Sequence, residues 1–130
     1  MLKLTYCLVR RAELSREDFQ SYWRETHAPL VRAAADALGI RRYVQSHTVA
    51  TAIDAVVREG RGLDRTDYDG VAELWYDSED ALIAATQTEA GRRHGAILAE
   101  DEARFIDFAR SCLFFAQENI VIGEAAPADG

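Results

Sequence analysis

Three side chains in this 130-residue sequence have the types and surroundings that proton chemistry needs: His27, His47 and Glu73. His27 interrupts an otherwise apolar stripe in SREDFQSYWRETHAPLVRAAADAL, residues 15–38, where Phe19, Trp23, Leu30, Ala34 and Ala37 or Leu38 recur every three or four positions. Pro29 lies two residues on, has no N–H for the Glu25 carbonyl and biases Ala28 away from helix, so a kink or restart is expected just after the imidazole. A neutral imidazole near pH 7 can remove a proton alpha to a carbonyl, or assist loss of water. The competing reading is a core or helix-end histidine whose ring nitrogens bond backbone. His47 shares one parity of its strand with Tyr43 and Gln45, a polar set, and could line a pocket or an interface. Glu73 is a mid-strand carboxylate, costly unless paired; it is either a companion of His27 or the partner of an arginine at an interface or sheet edge. Tyr6, Trp23, Tyr43 and Trp75 are candidates for contacting an apolar substrate, with ordinary core packing as the alternative for Tyr6 and both tryptophans.

The elements that must hold these residues follow from pattern. Ser15 caps the first helix, with Asp18 at N3 and acids in the first turn, and Gly39 stops it. Residues 2–10, 40–49, 70–76 and 111–122 are rich in β-formers and are expected as strands. Ser78 and Thr88 cap a second helical region that breaks, resumes, and ends in DEARFID at 101–107; its acids are expected to cap or to pair with Arg92, Arg93 or Arg104. Residues 50–69 form an insert, half short helix and half charged turn, either a lid or a solvent-exposed excursion. The order βαββαβ predicts an α+β fold, a four-stranded antiparallel sheet with helices on one face, over residues 1–123; residues 124–130 are expected to be a disordered tail. Strands one, three and four carry large apolar residues on both parities, so the face without helices should be covered by a second copy in a homodimer.

Composition removes several classes of function. A net charge of −7 opposes binding to nucleic acid or to an anionic membrane, and no apolar run reaches the ~20 residues of a membrane span. The chain opens on a strand without a signal segment, so a cytoplasmic location is expected. Cys7 and Cys112 sit in strand-like runs and read as small buried thiols. The histidines at 27, 47 and 94 have no ligand spacing, and there is no glycine-rich phosphate loop or nucleophile elbow; neither metal nor cofactor is expected.

FQSYWRETHAPLV at 19–31, IRRYVQSHTV at 40–49, YDGVAELWYDSEDAL at 68–82 and DEARFID at 101–107 resemble the EthD family of the dimeric α+β barrel superfamily. W-x-x-x-H-A-P-L, here Trp23, His27, Ala28, Pro29 and Leu30, is the most specific string, and the likeness spans residues 2–122. The resemblance implies a ferredoxin-like protomer that pairs sheet to sheet, with a pocket between its own sheet and helices. Relatives by fold include cofactor-free monooxygenases, polyketide cyclases, lactone isomerases and haem-degrading enzymes; EthD members occur beside ether-degrading cytochrome P450 systems. It therefore implies a small cofactor-independent enzyme acting on an apolar, aromatic or polyketide-like carbonyl compound by proton transfer, dehydration, cyclisation or oxygenation. The alternative is a non-catalytic module that holds a hydrophobic ligand for an oxygenase. Fold alone decides neither.

Overall fold

Alternating apolar positions over residues 2–8 place Leu4, Tyr6 and Leu8 on one side of a strand, and the rest of the molecule is built against that side. The computed structural model describes residues 1–63 and 68–124. Its strands are β1 (Leu2–Leu8), β2 (Arg42–His47), β3 (Gly70–Tyr76) and β4 (Cys112–Ala116). They form one antiparallel sheet in the order β2-β3-β1-β4, with β1 and β3 central. The helices are α1 (Arg16–Tyr22), α2 (Ala28–Leu38), α3 (Ala52–Arg61), α4 (Glu79–Thr86) and α5 (Glu89–Phe105). This is the ferredoxin-like α+β arrangement expected from the order of elements.

The caps are those read from the sequence. Ser15 accepts from the Asp18 N–H at 3.0 Å, Ser78 from Ala81 at 3.0 Å and Thr88 from Gly91 at 2.9 Å. Gly39 ends α2 at φ 71°, left-handed backbone that a residue with a Cβ rarely adopts. Two apolar clusters join helices to sheet. One gathers Leu8, Phe19, Trp23, Ala72, Phe105 and Ile106; the other gathers Val31, Ala34, Leu38, Ile40, Tyr76 and Leu98. Among the described residues no helix is long and apolar enough to cross a membrane.

Several expectations are corrected. The helix does not break at Pro29: α1 and α2 run on through a single π-helical turn, Trp23–His27, and Ala28 keeps right-handed helical backbone. The wider turn takes up the missing proline N–H by bonding Ala28 N–H back to the Trp23 carbonyl, five residues earlier. Its extra residue moves the buried stripe from Leu30 to Val31. The last strand stops at Ala116 and not 122, and Ile120, Val121 and Ile122 are exposed; beyond Ala116 the Glu118 carboxylate instead accepts from Trp75 Nε1 at 2.8 Å. Cys112 is exposed and Cys7 half-buried, directly opposite each other on β4 and β1. In the insert, α3 forms as expected but buries none of its residues, leaving Ile53, Val56 and Val57 open. No α3 side chain lines the cavity described below, which argues against a lid. Residues 64–67, and the tail expected at 124–130 apart from Glu124, lie outside the described residues.

Candidate functional site

The π-helical turn aims two of its own residues inward. Trp23 is 1% exposed and lies against Gly70, where an added Cβ would come within 2.5 Å of the indole; His27 follows on the same face and is 5% exposed. Gln45 donates to the Trp23 carbonyl at 3.0 Å, which ties the turn to β2. A cavity of about 160 Å3 opens between this turn, α2, α5 and the sheet. His27, Glu102, Tyr6, Tyr43 and Tyr76 supply its polar atoms, and Leu4, Val31, Leu74 and Leu98 are among its apolar walls.

His27 Nδ1 lies 2.7 Å from Oδ2 of Asp101 on α5, and both side chains are buried. Burial raises the Asp101 carboxyl, but bonds from Tyr22, His27 and Arg104 outweigh it and hold the group below its ordinary value, so it is ionised at neutral pH. The Tyr22 hydroxyl donates to Oδ1 at 2.6 Å and Arg104 Nη1 at 3.1 Å. An ionised carboxylate only accepts, so Nδ1 carries the proton and Nε2 the lone pair. Burial lowers the His27 pKa below 6.5, and the Asp101 bond and charge only partly offset this, so the ring is neutral at pH 7. No side chain among the described residues bonds Nε2, and the ring borders the cavity. That is the arrangement of a general base.

Glu102, the next residue on α5, is half-buried in the cavity. Burial lifts its carboxyl to about 7; a Tyr6 hydrogen bond opposes the rise, and the Asp101 charge adds to it. Burial and the Glu102 charge in turn drive Tyr76 up to about 12 and hold the Tyr6 phenol higher still, so both stay protonated. The Tyr43 oxygen accepts from Trp23 Nε1 at 3.1 Å and from Gln45 Nε2 at 3.0 Å. With both lone pairs engaged, its own proton is left to donate, and no acceptor for it is present among the described residues. The cavity thus holds a neutral imidazole, a carboxyl poised near neutrality and an oriented phenol donor.

Of the residues singled out from sequence, His27, Tyr6, Trp23 and Tyr43 meet at this cavity. His47 does not reach it. Its ring packs against Trp23 at a 40° tilt with centroids 4.5 Å apart, its Nε2 lies 2.9 Å from Gln45 Oε1, and its Nδ1 is buried without a partner among the described residues. Glu73 and Trp75 are on the opposite face of the sheet, because Ala72, Leu74 and Tyr76 take the helix side of β3. There Glu73 binds Lys3 at 2.7 Å, a pairing of the kind weighed for it but with lysine in place of arginine. Trp75 is covered by Lys3 and Arg42, 5.5 and 5.1 Å from its ring. A catalytic Glu73 and a substrate-contacting Trp75 are therefore corrected: the sheet stands between them and the imidazole.

Of the pairings expected for the acids of 101–107 with Arg92, Arg93 or Arg104, the one between Arg104 and Asp101 forms. A stronger signal was present. Leu98, Asp101 and Phe105 recur at helical spacing, so Asp101 falls on the buried stripe of α5, where an acid requires a buried partner. Among the described residues no three His, Cys, Asp or Glu side chains converge as a metal-ligand set.

Comparison with known proteins agrees with this architecture. Residues 11–109 match the family profile of the EthD domain. An ethyl tert-butyl ether D (EthD) family protein from Bacillus halodurans C-125 superposes with a TM-score of 0.59 at 21% identity, over 92% of this chain and 100% of that one. A dimeric protein of unknown function and ferredoxin-like fold from Bacteroides fragilis gives 0.56 at 8% identity, over 90% and 95%. SnoaB, a cofactor-independent oxygenase from Streptomyces nogalater, gives 0.50 at 14% identity, over 95% and 97%.

Proposed function

The chain belongs to the EthD family, and on that premise we propose that it is a small cofactor-independent enzyme that moves a proton on an apolar carbonyl compound. The observation that carries this reading is His27: it is bound to a buried carboxylate and not to backbone, and its ring borders a cavity that a second titratable group, Glu102, also lines. A passive ligand holder needs neither. His27 Nε2 takes a proton from the carbon alpha to the substrate carbonyl, and the electron pair moves to the carbonyl oxygen. The Tyr43 hydroxyl donates to that oxygen as charge develops. Asp101 stabilises the imidazolium, and protonated Glu102 returns a proton to carbon or to a departing hydroxyl. Isomerisation, cyclisation and dehydration share this first step. Oxygenation would require the carbanion to meet dioxygen, and the likeness to a cofactor-independent oxygenase keeps that outcome within the proposal.

The active form is proposed to be a homodimer through the open sheet face. Phe114, exposed on that face, and Leu113 and Phe115, exposed at the β4 edge, leave apolar surface that a second copy would cover. Light scattering at micromolar concentration should give twice the 14.5 kDa of the chain; a monomer there refutes the pairing.

The chemistry is tested with phenylacetone in D2O, following loss of its alpha-proton signal by NMR. The wild-type protein should accelerate exchange over buffer. His27→Gln should reduce the acceleration about 10²–10⁴-fold while the melting temperature stays close to wild type. Saturable binding of phenylacetone without exchange would return the chain to the alternative, a non-catalytic carrier of a hydrophobic ligand.

A further inference from the structure

Side chains two apart on a strand share a face, so Tyr43, Gln45 and His47 stand in one row on the helix side of β2. Across the ladder they meet Leu74, Ala72 and Gly70. The small partners of Gln45 and His47 leave room for the Trp23 indole, which lies against Gly70. Gln45 and His47 do not line the cavity, but Tyr43 does, and its hydroxyl bonds Gln45.

The Trp23 carbonyl fixes the protons along this row. The π-helical turn gives that oxygen two donors, the Ala28 N–H and Gln45. A carbonyl oxygen only accepts, so the Gln45 NH2 faces it and Oε1 points the other way, at His47. His47 Nε2 lies 2.9 Å from Oε1 and therefore carries the ring proton. Burial and the Arg24 charge lower the His47 pKa, so the ring is neutral at pH 7 and Nδ1 keeps the lone pair. The second Gln45 N–H goes to Tyr43 Oη at 3.0 Å, and Trp23 Nε1 donates to the same oxygen at 3.1 Å. Burial raises the Tyr43 pKa more than these two bonds lower it, so the phenol keeps its proton. Reversing the Gln45 amide would undo this order: its oxygen would oppose the Trp23 carbonyl and accept the phenol proton.

Resting on the enzymatic reading of the cavity, we propose that Gln45 is a positioning residue: held by the Trp23 carbonyl and by His47, it directs the Tyr43 O–H at the substrate carbonyl. The π-helical turn then orients two parts of the site, His27 directly and Tyr43 through Gln45. His47 locks the amide and exchanges no proton with substrate.

Two measurements test this without turnover. Nitrogen–proton correlation spectra of 15N-histidine-labelled protein near pH 7.5 should show His47 with its proton on Nε2, the tautomer opposite to that of His27. A His47 proton on Nδ1 means a reversed amide and overturns the proposal. Phenylacetone labelled with 13C at its carbonyl should resonate further downfield bound to the wild type than bound to Tyr43→Phe. Gln45→Glu should match Tyr43→Phe, because a carboxylate at position 45 accepts the phenol proton; a wild-type resonance in Gln45→Glu overturns the proposal. Should that variant fail to fold, the His47 tautomer and the wild-type displacement from Tyr43→Phe carry the test. In alpha-proton exchange, Gln45→Glu should lose about 10²-fold when Tyr43 is present and less than about twofold in the Tyr43→Phe background. Equal losses in both backgrounds also overturn the proposal, since Gln45 would then only tie the turn to β2. Wild-type protein that binds the ketone without exchanging it refutes the enzymatic reading alone, and the tautomer and carbonyl resonance still decide where the phenol points. No binding of the ketone to the wild type overturns both.

Discussion

Replacing Asp101 by Asn keeps the shape of the site and removes the reason His27 is a base. The carboxylate accepts from His27 Nδ1 through Oδ2, and from Tyr22 and Arg104 through Oδ1. An amide has one oxygen and one NH2 to offer those three donors. Arg104 cannot accept, so the oxygen turns to Tyr22 and Arg104, and the NH2 faces Nδ1. Nδ1 must then accept, the ring proton moves to Nε2, and the lone pair no longer faces the cavity. Loss of the charge also removes the stabilisation of the imidazolium. Alpha-proton exchange should fall about 10²–10⁴-fold, equivalent to about 3–5 kcal/mol in the barrier. Exchanging charged hydrogen bonds for neutral ones should cost about 1–3 kcal/mol of stability. The pH dependence has a definite sign. Asp101 is depressed in the folded state, so its contribution is complete above the unfolded carboxylate pKa of about 4 and is lost as pH falls through the lower folded value. Asp101→Asn should flatten that acid limb. The tautomer is read directly from imidazole nitrogen–proton correlation spectra of 15N-labelled protein near pH 7.5. Wild-type His27 with its proton on Nε2, or an Asn variant that exchanges within about twofold of wild type, would refute the reasoning.

Glu102 should set a limb of the pH–rate profile near its raised pKa of about 7, and Glu102→Gln should remove that limb. Because its folded pKa is raised, Glu102 favours the fold at low pH and progressively opposes it as pH climbs from about 4.3 to 7; the Gln variant should therefore gain stability over wild type at pH 8, on the order of 3 kcal/mol at most, measured by urea denaturation. Tyr43→Phe removes the phenol donor and should lower turnover about 10²-fold with ligand affinity largely kept; an unchanged turnover would take Tyr43 out of the oxyanion role. Cys7 and Cys112 face each other across β1 and β4, and burial together with Cys112 pushes the Cys7 thiol up to about 11. In an oxidised glutathione buffer the exposed Cys112 should react first and Cys7 then displace the glutathione, closing an intrachain disulfide visible as a Cys7–Cys112 cross-linked peptide in a non-reduced digest; persistent glutathione adducts on Cys112 would show that the thiols do not meet.

The sequence by itself determined the order of elements, their caps and the inward direction of His27. These depend on local spacing, on Ser, Thr and Gly at helix ends, and on backbone terms that act within a few residues. The resemblance carried by Trp23, His27, Ala28, Pro29 and Leu30 added the expectation of a pocket between the sheet and its helices. What the tertiary structure decided is who meets the imidazole. His27 and Asp101 are 74 positions apart, and only the packing of α5 against the π-helical turn and α2 brings them to 2.7 Å. The fate of Glu73 and Trp75 was undecidable from parity, because β3 carries apolar residues on both of its faces and alternation names no inside; the register against β1 and the side taken by the helices settled it. His47 shares a face with Tyr43 as its strand parity required, yet Trp23 and Gln45 occupy the space between it and the cavity. Pro29 is the same case within one helix: its local rule forbids a hydrogen bond but does not say whether the chain breaks or widens. Here the chain widens, with Trp23 and Val31 buried on either side of the proline and His27 bordering the cavity.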